Sequence, residues 1–368
     1  MMWLIILALV LAASISGIVF LIKRFHSFRL IQKISERNKK LSWFLAVLPI
    51  ALTILLSAIL LNIWATMIIL IHLFVFWLVC EIAGKLIGKC LKKKTPADVT
   101  GCAAIFLTAI YLGIGWYLAH HVYRTYYSFT TEKDLGQDKL RIVEIADLHL
   151  GITLDGGEFA EQCEHISSEK PDAVIIAGDF VDDDSKKEDM LTACRALGSI
   201  DSTYGIYYII GNHDKSYYNT RDFSLEEMYG EFRKYGIHIL EDESILVNDS
   251  FYIIGRKDAS FDERLSMDKL VEGVDTSRYM IAVDHQPNDY KNEADSGVDL
   301  VLSGHTHGGH IFPAGQIGLM IGANDRIYGT EKRKNTNFVV TSGISGWAIP
   351  FKTGTISEYV VIDISDQK

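Results

Sequence analysis

Three long stretches without a charged side chain constrain the fold of this chain more than any other feature. Residues 1–22, 41–80 and 99–119 contain no Asp, Glu, Lys or Arg. A helix needs about 20 apolar residues to cross the hydrocarbon core of a bilayer, so each stretch is long enough to span it. The middle stretch is twice that length, and Asn62 near its centre predicts a tight hairpin. We therefore predict four transmembrane helices in a region of residues 1–124, at about 2–22, 41–60, 63–82 and 99–119.

The loops between these stretches predict the orientation of the chain. Residues 23–40 carry seven Lys and Arg, and residues 85–94 carry five. Basic loops stay on the cytoplasmic side, so we expect a multi-pass protein of the cell membrane with residues 120–368 on the extracytoplasmic face. No Asp, Glu, Lys or Arg lies deep in a predicted span, which favours an anchor over a transport pathway.

The charge of the remaining chain limits the class of partner. The whole chain holds 36 Lys and Arg and 46 Asp and Glu. Residues 1–124 contain 13 of the basic residues and three of the acidic ones, so their net charge is +10 and that of the remaining chain is −20. Nucleic acid is not expected as a partner, because phosphate backbones require basic surfaces. Five cysteines are too few for a disulfide framework. We expect buried free thiols at Cys163 and Cys194, with a single bridge left open.

The sequence after the membrane region predicts an α/β domain over 140–368, joined to it by a linker at 125–139. Its early part alternates short apolar strands with segments of helical periodicity, and its late part is rich in strands. This order is typical of two packed sheets flanked by helices.

Five short polar motifs each follow an apolar strand of the predicted domain. In α/β sheets ligands gather at the carboxyl ends of strands, so these motifs are expected to converge on one rim. In extended chain, residues two apart point to the same side, which would pair Asp147 with His149 and His305 with His307. The motifs are Asp147-Leu148-His149, Gly178-Asp179, Gly211-Asn212-His213-Asp214, Asp284-His285 and Gly304-His305-Thr306-His307.

The residue types in these motifs are those that bind two divalent cations. Imidazole suits Zn, Fe and Mn, and carboxylates suit harder ions. Two neighbouring dications clamp an in-line displacement at phosphorus and lower the pKa of water, while a histidine protonates the leaving oxygen. Asp-x-His or Gly-Asp alone is weak, since turns also favour such residues. All five motifs in order indicate a metal-assisted phosphoester hydrolase.

With these motifs, residues 140 to 365 resemble the calcineurin-like metallophosphoesterases. The segments ADLHLG, AGDFVDD, GNHD, DHQP and SGHTHGGHIFP are most similar to the bacterial branch that includes the YkuE and YaeI phosphoesterases. The resemblance implies a four-layer α/β/β/α sandwich and two divalent metal ions, of Mn, Zn or Fe. It also implies attack by a hydroxide that bridges the ions.

The resemblance also implies a role for each motif residue. One ion would be held by Asp147, His149 and His307, and the other by Asn212, His285 and His305. Asp179 would bridge the two ions. His213 would be the general acid or a phosphate ligand, and Asp214 would orient it.

The resulting hypothesis is a membrane-anchored dinuclear phosphoesterase acting on a phosphodiester or phosphomonoester, with lipid-linked and envelope-linked phosphates as candidate substrates. The alternative is a membrane sensor whose metal site binds a phosphate ligand without turnover. The complete motif set, His213 included, favours the enzyme. The sequence does not predict an oligomeric state.

Three residues depart from the pattern of the related family, namely Asp284, His310 and Lys352, where relatives tend to have a neutral residue, Gln and Arg. They bear on substrate preference. His310 is either close to the metal site or in a solvated loop. The segment with Tyr217, Tyr218 and Arg221 either lines the substrate mouth or is an ordinary polar loop.

Overall fold

The computed structural model describes residues 2–366, with side chains from residue 13 onward, and forms two compact units, Met1–Gly115 and Trp116–Lys368. The helices are α1 (Met2–His26), α2 (Arg29–Arg37), α3 (Lys39–Leu60), α4 (Ile63–Cys90), α5 (Ala97–His120), α6 (Gly156–Ser168), α7 (Lys187–Leu197), α8 (Leu225–Lys234), α9 (Met267–Leu270), α10 (Tyr290–Ser296) and α11 (Ala314–Met320). The strands are β1 (Val122–Thr131), β2 (Lys139–Ile145), β3 (Ala173–Ala177), β4 (Ile206–Ile209), β5 (Ile237–Leu240), β6 (Glu243–Val247), β7 (Phe251–Gly255), β8 (Tyr279–Val283), β9 (Leu300–Ser303), β10 (Gly329–Arg333), β11 (Thr336–Val340) and β12 (Ser357–Asp366).

Three helices of the described chain, α3, α4 and α5, are long and apolar enough to cross a membrane. The predicted hairpin is confirmed, because α3 ends at Leu60 and the side chain of Asn62 caps α4 by accepting a hydrogen bond from the backbone N–H of Ala65 at 2.8 Å. The first predicted span, 2–22, falls largely on residues 1–12, whose side chains lie outside the described residues.

The second unit contains two mixed sheets of six strands each. The strand order is β1-β12-β2-β3-β4-β5 in one sheet and β10-β11-β9-β8-β7-β6 in the other. In the first sheet β2, β3, β4 and β5 are successive parallel neighbours, and in the second β7, β8, β9 and β11 are. The connections that carry the motifs therefore leave the carboxyl ends of adjacent parallel strands.

The apolar side chains arrange the second unit in four layers. Ile142 and Ile175 of the first sheet pack against Ile281 and Leu302 of the second in a fully buried cluster between the sheets. A second cluster joins the outer face of the first sheet to α6, α7 and α8, and a third joins the outer face of the second sheet to α9 and α10. The predicted α/β/β/α sandwich is confirmed.

The first half of the predicted linker at 125–139 belongs to a strand. β1 covers 122–131 and pairs in parallel with β12 at the edge of the first sheet. Alternate side chains of β1 are partly buried, and Tyr127 and Phe129 pack against the cluster between the sheets. The period of two was readable in the sequence, but the aromatic residues of this segment are also what membrane interfaces favour.

The cysteines agree with the expectation of free thiols. All five are free, and Cys163 and Cys194 are buried in the cores under α6 and α7.

Candidate metal centre

The five polar motifs converge on one rim of the sandwich, as the sequence predicted. Asp147, Asp179 and Asn212 follow β2, β3 and β4 of the first sheet. His285 and His305 follow β8 and β9 of the second sheet. Both sheets present the carboxyl ends of these strands to the same place, so residues more than 150 positions apart come into contact.

The backbone at this rim is unusual, and the predicted extended pairs are wrong in detail. Asp147 and His149 have φ values of 52° and 37°, and His305 and His307 have 68° and 47°, so none is extended. Asp179 is also left-handed, at 53°. Residues with side chains adopt this region at a cost of about 1–3 kcal/mol each, and such strain concentrates at functional sites. The side chains of each pair converge because sharp turns aim them inward.

Two glycines allow the turns to approach one another closely. Gly178 has φ +87°, and a Cβ there would lie 2.7 Å from Nδ1 of His285. Gly211 leaves room for Asp179, whose Oδ1 accepts a hydrogen bond from the backbone N–H of His213 at 2.8 Å. Larger residues at either position would separate the motifs.

The first group of side chains is Asp147, His149 and His307, whose ligand atoms lie within 4.8 Å of one another. Nε2 of His149 is 3.1 Å from Nε2 of His307, which is 3.8 Å from Oδ1 of Asp147. Nδ1 of His149 faces the carboxylate of Asp182 at 3.1 Å. That contact assigns the proton to Nδ1 and leaves the lone pair on Nε2 directed into the group.

The second group is Asp179, His285 and His305, again within 4.8 Å. Nδ1 of His285 lies 2.7 Å from the carbonyl oxygen of Ala177 and can donate its proton there, so Nε2 is the ring nitrogen that faces the group. Nε2 is 3.0 Å from Oδ2 of Asp179, yet it has no partner in hydrogen-bond geometry. A cation held by both atoms would account for this short separation.

Asp179 also reaches the first group. Its Oδ2 lies 3.0 Å from Nε2 of His285 and 3.6 Å from Nε2 of His149. A carboxylate in this position can serve two cations at once.

Asn212 is a further candidate ligand of the second group, through its uncharged amide oxygen Oδ1. Its Nδ2 donates to the hydroxyl of Tyr217 at 3.1 Å, and this contact turns Oδ1 inward. Oδ1 is buried and has no hydrogen-bond partner in the described structure. An orphaned buried amide oxygen is costly, and a hard cation would satisfy it.

Burial acts to lower the pKa of His285, but Asp179 and other carboxylates raise it, whereas two other histidines of the site have lowered pKa values. Burial lowers the pKa of His305 to about 4, and burial together with His149 lowers that of His307 well below its usual value. Both rings are therefore neutral near pH 7 and keep a lone pair. Ligand atoms on a common ion, at about 2.0–2.2 Å from it, lie roughly 3 to 3.5 Å apart. The separations of 3.0 and 3.1 Å fit that spacing.

The contacts of His213 bear on one predicted role. Its Nδ1 lies 3.2 Å from Oδ1 of Asp182, and the ring is partly exposed. Burial acts to lower the pKa of His213, but the hydrogen bond with Asp182 and the nearby carboxylates outweigh it and raise the pKa. This contact favours Asp182 over Asp214 as the residue that orients His213, and the role predicted for Asp214 stays a prediction.

Asp214 also performs a structural task. It is fully buried, and its carboxylate accepts hydrogen bonds from three backbone N–H groups at 2.8 to 3.0 Å, those of Asp179, Val181 and Gly211. These bonds direct the carboxylate away from the ring of His213. Asp214 joins the second motif to the third and fixes their relative position.

Asp182 is a candidate site residue that the sequence interpretation missed, and with His149 and His213 it forms a third group whose ligand atoms lie within 4.8 Å of one another. One carboxylate contacts both His149 and His213 through their Nδ1 atoms. The signal was present in AGDFVDD, where Asp182 follows Asp179 by three residues. Asp182 is followed directly by Asp183 and Asp184, and the sequence does not show which of the three aspartates lies at the site.

The three departures from the family pattern all lie in buried surroundings. His310 is buried and its ring stacks on that of His307 with centroids 5.3 Å apart, so it is not in a solvated loop. Asp284 accepts a hydrogen bond from Arg256 at 3.0 Å and also contacts Arg264. Lys352 is fully buried, and burial lowers its pKa to about 7.

The segment that contains Tyr217, Tyr218 and Arg221 was expected either to line the substrate mouth or to be an ordinary polar loop, and its residues differ in this respect. The ring of Tyr217 lies 5.2 Å from that of His213, and Trp347 approaches the same imidazole at 5.4 Å. Tyr218 is exposed. Arg221 donates to the carbonyl oxygen of Asp214 at 2.7 Å and supports the loop. The mouth of the site is thus aromatic on two sides of His213.

Comparison with known proteins identifies the family. The profile described as calcineurin-like phosphoesterase matches residues 140–309. An uncharacterized metallophosphoesterase of Aquifex aeolicus is 31% identical over 244 residues, which cover 65% of this chain and 90% of that one. The chain belongs to the calcineurin-like phosphoesterase family. Its second unit is accordingly a metal-dependent phosphoester hydrolase.

Some relatives are named as transmembrane proteins. A transmembrane protein with metallophosphoesterase domain from Bos taurus is 27% identical over 239 residues, 60% of this chain and 52% of that protein. Among solved structures, a dimetal phosphatase from Danio rerio aligns with a TM-score of 0.37 and 10% identity, over 60% of this chain and 91% of that one. The branch within the family stays a prediction.

Proposed function

We propose that this chain is a membrane-anchored phosphoesterase that uses two divalent cations. The observation that carries the proposal is the position of Asp179 between two groups of inward-facing ligand atoms, 3.0 Å from one histidine nitrogen and 3.6 Å from the other. The first ion would be held by Asp147, His149 and His307, the second by Asn212, His285 and His305, and both by Asp179.

The chain's own residues prepare the site for hydrolysis. When bound, two dications polarise the phosphoryl oxygens and lower the pKa of water at the site. Asp182 holds Nδ1 of His213 at 3.2 Å, which directs Nε2 of that ring toward the mouth. His213 is protonated over a wider pH range because its pKa is raised, so it can give the proton from Nε2 to the leaving oxygen.

The substrate and location follow from the predicted membrane region. Residues 1–124 are proposed as the anchor and residues 140–368 as the catalytic domain, with β1 forming part of that domain. The basic loops favour an extracytoplasmic site. A domain tethered there favours a lipid-linked or envelope-linked phosphoester, either a diester or a monoester.

Metal-dependent turnover tests the proposal. The full chain, purified in detergent, would be treated with a chelator and then given Mn²⁺, Zn²⁺, Fe²⁺ or Mg²⁺. Hydrolysis of bis-p-nitrophenyl phosphate and p-nitrophenyl phosphate should disappear after chelation and return with one or more ions. The preferred ester would distinguish a diesterase from a monoesterase.

The variant His213→Asn separates an enzyme from a phosphate-binding sensor. Loss of the general acid should reduce kcat by about 100-fold or more, while metal content stays unchanged because His213 is not among the proposed ligands. His165→Asn is the matched control, since His165 is exposed on α6. Unchanged turnover in His213→Asn would remove it from the mechanism. A folded, metal-loaded wild type that binds phosphate but turns over no ester would favour the sensor.

Cysteine labelling of intact cells tests the orientation. In a chain with the exposed Cys90 and Cys102 replaced by Ser, an impermeant maleimide should label Asp184→Cys and not Lys33→Cys. The opposite pattern would place the phosphoesterase unit in the cytoplasm.

A further inference from the structure

An uncharged apolar loop lies beside the metal centre. Residues 311–324, here called the apolar loop, contain no Asp, Glu, Lys, Arg or His and include the short helix α11. Phe312, Ile317, Met320 and Ile321 are 55%, 52%, 86% and 74% exposed. Soluble surfaces rarely expose so many large apolar side chains together, and such patches mark contacts with proteins or membranes.

The base of the apolar loop is attached to the residues around a proposed metal ligand. Gly309, two positions after His307, lies so close to Gly315 of α11 that a Cβ on Gly315 would be 2.6 Å from its Cα. Thr306 Oγ1 donates to the carbonyl oxygen of Ile327 at 2.7 Å, just beyond the far end of the loop. Both ends of the loop are therefore fixed to the rim of the metal centre.

The start of β1 pairs with Ser357, at the end of β12 that lies beside the carboxyl end of β2. The end of α5, one of the three helices able to cross a membrane, is therefore at the same end of the second unit as the rim of the metal centre. Ser357 donates to the carbonyl oxygen of Ala119, in the last turn of α5, at 2.8 Å. The neighbouring carboxylate of Glu358 accepts hydrogen bonds from Thr125 of β1 and, at 2.9 Å, from Tyr328. Tyr328 follows the apolar loop by four positions. Ser357 and Glu358 are consecutive in β12, so the end of α5 and the base of the loop contact neighbouring residues of that strand.

These observations place an apolar surface next to the point where the chain leaves a membrane-spanning helix. A single residue, His121, separates α5 from β1. If α5 spans the bilayer, the bilayer surface lies near the start of β1, and an exposed uncharged segment at that end gains free energy by entering the interfacial layer. Charged side chains would oppose insertion, and the loop has none.

We propose that the apolar loop docks into the surface of the bilayer and that the metal centre faces the headgroup layer. The substrate class is then the phosphoester headgroup of a membrane lipid whose acyl chains remain in the bilayer. The docking depends only on the apolar loop and the end of α5. The substrate class also rests on the proposed phosphoesterase function.

Fluorescence quenching in liposomes tests the docking without reference to activity. The full chain, with Cys90 and Cys102 replaced by Ser, would carry Met320→Cys labelled with an environment-sensitive fluorophore. Leu246→Cys is the matched control, because Leu246 is 40% exposed on β6 and β6 is the edge strand farthest from β10 in the second sheet. The label at 320 should be quenched by nitroxide lipids and shielded from iodide, and the label at 246 should behave in the opposite way.

Two outcomes would overturn the docking. Equal iodide quenching at 320 and 246 would leave the apolar loop in water. Protection of the label at 320 from both quenchers would assign the loop to a protein contact, with another part of the chain or with a second copy.

Hydrolysis of two kinds of ester tests the substrate class. The probes are bis-p-nitrophenyl phosphate in solution and vesicles that contain phosphatidic acid and phosphatidylglycerol. The variant with Ile317, Met320 and Ile321 replaced by Ser should lose about tenfold or more of its lipid turnover and keep its turnover of the soluble ester. Leu246→Ser should alter neither.

The outcomes separate the two proposals. No turnover of any ester by the metal-loaded wild type would refute the phosphoesterase function and leave the quenching result standing. Turnover of the soluble ester with none of either lipid would overturn the lipid substrate class. Equal lipid turnover in the Ser variant and the wild type would show that docking does not present the substrate.

Discussion

Replacing Asp182 by Asn tests whether one carboxylate sets the protonation of the proposed general acid. The carboxylate lies 3.2 Å from Nδ1 of His213 and 3.1 Å from Nδ1 of His149. Asn has nearly the same shape but no charge, and its single oxygen can accept a hydrogen bond from only one of the two rings. The substitution therefore removes the charge while it preserves the packing.

The size of the effect follows from the charge-assisted hydrogen bond to His213. Such a bond contributes about 1.5–3 kcal/mol, which corresponds to a factor of roughly 10 to 150 in the protonation equilibrium. His213 has a raised pKa, so its proton is present at low pH and is lost as pH rises through that pKa. Asp182→Asn should lower this pKa, and the basic limb of the rate profile should move to lower pH.

The assay is kcat for bis-p-nitrophenyl phosphate between pH 5 and pH 10, with metal content measured in the same samples. The variant should approach wild-type kcat at the acid end and fall behind by about 10-fold or more at the basic end. Asp184→Asn is the control, because Asp184 is exposed next to the same loop. A loss of equal size at every pH, or a basic limb that does not move, would refute the assigned role. Loss of metal would instead point to His149, whose orientation the same carboxylate supports.

Two further substitutions test the framework around the site. The Arg141 guanidinium holds the pKa of Asp363 at about 2, so its stabilisation is present above the unfolded pKa and lost as pH falls toward 2. Asp363→Asn should therefore lower the free energy of unfolding near pH 7 by about 1 kcal/mol, after allowance for solvent screening. The difference in thermal midpoint between variant and wild type should vanish between about pH 4 and pH 2. A difference that stays constant over this range would contradict the ion pair. Gly178→Ala should reduce bound metal and activity together, because Gly178 has φ +87° and a methyl group would lie 2.7 Å from a ring nitrogen of His285. Gly230→Ala on α8, where the new methyl meets nothing within 4 Å, should retain both metal and activity, and equal metal in the two variants would show that the turn at Gly178 is not needed.

The layered fold, and the set of motifs that come together at the rim, were predictable because they depend on local sequence patterns. Apolar strands such as 173–177 and 300–303 end abruptly in polar residues, and parallel strands deliver those residues to one edge. The hairpin at Asn62 was predictable for a similar reason, since an uncharged stretch of twice the length of one span must turn near its middle.

The parts that could not be predicted depend on contacts between distant segments. Strand β1 forms because β12, more than 230 residues later, supplies a parallel partner, and its alternating pattern alone did not outweigh its aromatic content. The left-handed turns at Asp147 and His305 are held by a hydrogen bond between them, from the backbone N–H of His305 to the Asp147 carboxylate at 2.9 Å. Asp and His adopt the left-handed region more often than most residues with side chains, but that preference alone does not determine the conformation at these positions.

The two aspartates near His213 show why adjacency in sequence misleads at such a site. Asp214 follows His213 directly, but consecutive side chains leave a turn in different directions, and the Asp214 carboxylate is saturated by three backbone N–H groups. Asp182 is 31 positions away and has one oxygen for each of two imidazoles. Both aspartates are buried, but the Asp214 carboxylate joins loops, whereas the Asp182 carboxylate lies against the rings of His149 and of the partly exposed His213. The carboxylate that contacts His213 is therefore the one that can still accept hydrogen bonds once the loops have folded. The sequence of the Gly211–Asp214 motif does not reveal which carboxylate that is.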